Sequence, residues 1–171
     1  MSPEPTSPEP SSAAEAPRPR KLFTVEKANS VLPLVRAITA DLARLSREVI
    51  ERRERLALLS AGRSATAKDL YSEELAQIEE ELEKDGEQLQ AYVEELRELG
   101  VEPKSGPEGL VDFPAMIDDH LVYLCWKLGE PEVLHWHELD GGFQGRHSLV
   151  AGSVAGGGSA PGASAPSDET L

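Results

Sequence analysis

Residues 109–146 read GLVDFPAMIDDHLVYLCWKLGEPEVLHWHELDGGFQGR and concentrate the side chains able to do chemistry. Both tryptophans, the single cysteine and three of the four histidines lie here, ahead of a glycine-rich end. A three-residue turn at Gly129, Glu130 and Pro131 would set Cys125 opposite His135 and Tyr123 opposite His137. Cross-strand neighbours lie ~4.5–5.5 Å apart at Cβ, close enough to share a ligand. Cys125, His135 and His137 are therefore candidate ligands of a zinc-class ion, and Asp112 on the preceding strand could join them. The plainer alternative is two solvated histidines and a small apolar cysteine. The strict ligand spacing of known zinc motifs is absent. The expectation is no cofactor, with a zinc-class metal as the alternative.

A second constellation is polar and acid-rich. Asp112, Glu130, His137, Asp140 and Arg146 are candidate ligand-binding residues. A histidine between carboxylates can act as a general base. Arg146, after Gly141-Gly142-Phe143-Gln144-Gly145, could grip a carboxylate or phosphate, or simply bridge structural carboxylates at a turn. The glycines do not lead from a strand into a helix, so they are not a nucleotide fingerprint. Cys125 beside Trp126 has neither the access nor the lowered pKa that a nucleophile needs.

Two kinds of element must position these side chains. Residues 24–60 carry a heptad through Ala28, Val35, Leu42, Val49 and Leu56, and residues 75–99 repeat it through Leu75, Leu82, Leu89 and Leu96. The spacing predicts an antiparallel hairpin in which Leu59 meets Leu75, Leu45 meets Leu89 and Val35 meets Leu99. Arg52 and Asp85 are its charged breaks, either paired or flared into water. Gly62 is a helix stop, and Ser64 or Thr66 could cap the return helix. Thr24 is a plausible N-cap. Pro33 then predicts either a kink or a later start capped by Ser30. After Gly100 the period falls to two, which predicts strands over 101–104, 110–113, 121–128 and 133–139. The fold class is α+β: a coiled-coil-like hairpin, then an antiparallel β-meander of three to four strands.

Bulk properties limit the function. One domain is expected at 21–150, with the hairpin at 24–99 and the meander at 101–146. Residues 1–20 and 151–171 have too few apolar side chains to offset ordering entropy and are expected to be disordered. A net charge of −14 argues against nucleic acid and anionic membranes as partners. No apolar run reaches the ~20 residues of a membrane span. With no apolar signal core and one cysteine, a cytoplasmic location is expected.

Four stretches together resemble one bacterial family, domain of unknown function 2203: FTVEKANSVLPLVR from Phe23, GLVDFP, LCWKLGE and WHELDGGFQGR. The resemblance implies a small bacterial cytosolic protein and supplies no activity, cofactor or site residue. Lys27 stands where the family often has the glutamate of a Thr-x-x-Glu capping box. His135 stands where an aromatic residue is common, which favours His137 over His135 in any site. Two functions follow from the sequence. The first is a non-enzymatic adaptor whose projecting hairpin binds a protein partner or a second copy. The second is a small-ligand- or metal-binding protein, with a hydrolase among its forms, and with a site around Asp112, Glu130, His137 and Arg146.

Overall fold

The computed structural model describes residues 21–62 and 70–149, so the expectations for both tails and for Ser64 and Thr66 lie outside the described residues. Helix α1 spans Val25–Ala61 and α2 spans Leu70–Glu98. Thr24 caps α1, its side chain accepting from the Lys27 N–H at 3.2 Å. The later start does not occur: Ser30 is helical and its hydroxyl donates to the Lys27 carbonyl at 2.7 Å. Pro33 lies inside a helix that runs on past it. Gly62 is the C-cap, its N–H reaching the Leu58 carbonyl.

Across the hairpin, Arg52 pairs with Asp85 and Arg55 with Glu74. These ion pairs bracket the register read from the heptads, and the two charged breaks are joined rather than flared. Leu45, Val49, Leu75 and Ile78 are buried in this part of the molecule.

Five antiparallel strands follow in the order β1-β2-β3-β4-β5: Glu102–Ser105, Leu110–Ile117, His120–Lys127, His135–His137 and His147–Ser148. A two-residue turn with Asp118 and Asp119 at φ 49° and 58° joins β2 to β3, a backbone that suits the twist of a tight hairpin. Strand β2 runs four residues beyond expectation, through Pro114. The Pro114 carbonyl accepts from the Phe23 N–H at 2.7 Å on the edge away from β3. In a strand a residue's N and O point the same way, so the donor that proline lacks also faces that edge. The β3–β4 register is the expected one, with Leu124 opposite Trp136 and Cys125 opposite His135. Its ladder stops early because side chains take over the backbone groups. Glu130 accepts from the Lys127 N–H, and Asn29 accepts from the Val133 N–H.

One face of the sheet packs on the helices. Phe23, Val35, Leu96, Val111, Phe113, Leu124 and Trp126 belong to that core, and Trp136 packs against it half-buried. Alternation then sends Asp112, Tyr123, Cys125, His135 and His137 to the opposite face. Ser46 on α1 sits against Gly106, where an added Cβ would lie 2.5 Å from its Oγ, so a larger residue there would make the Ser46 hydroxyl turn away.

Candidate functional site

The outer face of the sheet is roofed by the segment that follows β4. Leu139, Asp140, Gly142 and Phe143 lie over Leu110, Asp112, Cys125 and His137, with Lys104 at the side, and enclose a cleft of about 210 Å³. Gly142 holds φ 57° and ψ −168°, a conformation nearly reserved for glycine. It turns the chain into the 3₁₀ turn Phe143–Gly145 and brings Phe143 over the sheet. The Phe143 ring lies 5.2 Å from Lys127 Nζ and 4.6 Å from the Arg146 guanidinium carbon.

At the floor, three strands deliver one side chain each: Asp112 from β2, Cys125 from β3 and His137 from β4. Asp112 and His137 are each 2% exposed. One oxygen, nitrogen or sulfur atom from each of the three lies within 4.8 Å of the others. His137 Nε2 is 3.0 Å from Asp112 Oδ2. His137 Nδ1 is 2.6 Å from the Glu138 carbonyl oxygen, which can only accept, so Nδ1 carries a hydrogen. The contact between Nε2 and Asp112 then shares a single further proton. Burial raises the Asp112 pKa above the ordinary carboxylate value, and the neighbouring His137 opposes the rise. Burial, with Asp112 adjacent, pushes the Cys125 thiol from 9.0 up to about 12, so Cys125 is a protonated thiol at neutral pH and not a nucleophile.

A separate cluster lies beside this floor. Arg146 Nη2 donates to both Glu130 oxygens, at 2.5 and 2.8 Å, and to His135 Nδ1 at 2.9 Å. The predicted ligand set thus divides. Asp112, His137 and Asp140 share the cleft, whereas Glu130 and Arg146 are bound to each other. Of the candidate metal ligands Cys125, His135 and His137, the structure brings Cys125 and His137 together with Asp112, which the sequence offers as a further member. His135 opposes Cys125 in register, and its Nδ1 accepts from Arg146. Lys104, Leu110, Leu139 and Phe143 were not anticipated as lining. Strand parity could have found Lys104 and Leu110, but a roof made by a glycine-rich turn leaves no period to read.

No curated protein and no solved structure matches the chain. A family model described as "Uncharacterized conserved protein (DUF2203)" matches residues 21–149. That match takes in both helices, all five strands and every residue of the cleft, and the chain belongs to this family.

Proposed function

We propose that this is a small-ligand-binding protein that works through the cleft on the outer face of its sheet. One observation carries the reading. A carboxylate, an imidazole and a thiol are buried together on the face turned away from the helices. Burying such groups is costly, and apolar residues of similar size would usually serve stability as well or better. Leu110, Leu139 and Phe143 give the cleft apolar walls above this polar floor, the usual composition of a ligand site. Its size suits a small molecule, since an apolar cavity of ~150 Å³ holds a benzene ring.

The test is ligand-observed NMR on the full chain with benzoate, benzyl alcohol and benzylamine as probes. At least one should bind, and Leu139→Trp, placed across the mouth, should abolish its binding. Absence of binding by all three, or binding unchanged by Leu139→Trp, would overturn the reading.

The hairpin supports a second reading, a surface for a protein partner or a second copy. The main core reaches only Leu42 on α1, while the helix continues to Ala61, so about 28 Å of arm extends past that core. Leu58 there is 75% exposed. Sedimentation of the full chain and of Leu58→Glu tests self-association; a monomer in both would exclude the second copy. A cytoplasmic location fits either reading, because a reducing compartment keeps Cys125 a thiol.

A further inference from the structure

We infer that Asp112, Cys125 and His137 hold a zinc-class divalent metal ion at the floor of the cleft. This inference rests on the cleft being the working site, and it names the chemistry of its floor.

The donor set comes first. A thiol, an imidazole and a carboxylate together match zinc-class ions, whereas calcium and magnesium take oxygen ligands alone. Geometry comes second. Bonds of ~2.0–2.3 Å in a tetrahedral shell place ligand atoms about 3.3–3.7 Å apart. His137 Nε2 and Asp112 Oδ2 are 3.0 Å apart, and all three ligand atoms lie within 4.8 Å of one another. Small side-chain rotations would therefore close the shell.

The histidine is already oriented. Metal-bound imidazoles almost always donate their second nitrogen to a carbonyl or carboxylate, which fixes the tautomer. His137 donates Nδ1–H to the Glu138 carbonyl, so Nε2, which faces Asp112, supplies the lone pair once the proton the two share has left. The same arrangement argues against the competing use of Asp112 and His137 as a general base. Both imidazole nitrogens are engaged inside the protein, so neither faces a substrate proton.

Charge and protons also balance. A dication with the Asp112 carboxylate and a Cys125 thiolate makes a neutral unit, which suits burial better than separated charges do. On binding, the Cys125 thiol proton and the proton shared by Asp112 and His137 leave to solvent. Three protein ligands leave a fourth position open toward the cleft, the arrangement of metal sites that take an exogenous ligand. Leu139, Phe143 and Asp140 would then surround whatever occupies that position.

The test uses the full chain purified without an affinity tag and loaded with zinc or cobalt. Elemental analysis should find one zinc per chain. The cobalt form should show thiolate-to-cobalt charge-transfer absorption and the intense visible bands of four-coordinate cobalt. Cys125→Ser should remove the charge-transfer absorption. Loss of an outer-shell partner alone costs ~10–100-fold in affinity, so Cys125→Ser and His137→Gln should each lose at least ~100-fold. His135→Gln should stay near wild type and serves as the folded control. Release of the thiol proton should make the affinity rise at least ~10-fold per pH unit near neutrality. No bound metal, a cobalt spectrum without charge transfer, or a loss in His135→Gln equal to that in His137→Gln would overturn the inference. A chain that takes no metal yet binds an aromatic probe overturns the metal and leaves the cleft. A chain that takes metal but binds no probe does the reverse.

Discussion

Replacing Arg146 with methionine tests what holds the roof of the cleft. Its guanidinium bonds both Glu130 oxygens and His135 Nδ1, with the Arg146 and Glu130 side chains only 13% and 22% exposed. Removing one partner of a buried ion pair typically costs ~3–5 kcal/mol. Two features reduce that figure. Glu130 keeps its bond from the Lys127 N–H. Arg146 Nε is buried without a partner among the described residues, and the substitution removes that unsatisfied donor, worth ~1 kcal/mol or more. The expected loss is therefore ~2–3 kcal/mol, or very roughly 5–12 °C in melting temperature for a domain of this size. Glu130→Gln in the same background should recover ~1 kcal/mol or more, because an amide does not need the countercharge. Urea titrations followed by tryptophan fluorescence give all four corners of the double-mutant cycle. Hydrogen exchange should show the faster opening concentrated in residues 138–148. A loss below ~0.5 kcal/mol, or two substitutions that simply add, would show that the pair is solvated and that the roof is held by something else.

Other outcomes follow from single side chains. Thr39 Oγ1 is buried in α1 without a partner among the described residues, so Thr39→Val should stabilise by ~1 kcal/mol in the same titration, and a destabilisation would mean that the hydroxyl is bonded. Trp126 is fully buried and Trp136 only partly, so Trp126→Ala should cost ~3–5 kcal/mol and Trp136→Ala clearly less; equal losses would contradict the packing. Metal-free native chain should resist iodoacetamide at about pH 8, since the thiol there is buried and protonated, while urea-unfolded chain reacts. The folded chain keeps the Cys125 proton between pH 9 and about 12, where the unfolded chain has lost it, so stability should fall as pH rises through that window. Cys125→Ala should remove this component; an unchanged slope would assign it to other groups.

The sequence carried the strand register because side-chain parity is a property of the backbone alone. Opposing Cys125 to His135 required only the period of two and the position of one turn. What parity cannot supply is the reach of a side chain within its row. Asp112, Cys125 and His135 form the straight row across three strands, yet the contact to Asp112 is made diagonally by His137. His135 is bonded instead by Arg146, which returns through an irregular turn that has no period to read. The helix seams were legible for the same reason as the strands, since a sustained heptad fixes which residues face each other. Strand β5 is two residues long and was not foreseen, because such a short segment has no period. The extension of β2 past Pro114 was hidden as well, because a proline ends a strand unless its bare edge has no need of a donor.

Both helices precede every strand in the chain, and this order governs how the protein is made. The hairpin leaves the ribosome first, and its seam closes through neighbours in a simple up-and-down path, the kind of contact that forms fast. Arg52 with Asp85 and Arg55 with Glu74 can fix its alignment before any sheet exists. Leu32, Val35 and Ile38 have only the α2 side of their core at that moment, since Val111, Phe113, Leu124 and Trp126 arrive later. The bridge from Phe23 to Ala115 joins positions far apart along the chain and must wait for β2. A nascent chain that ends just after α2 is consequently a hairpin with one apolar face open to water, and in that interval the protein is most exposed to aggregation.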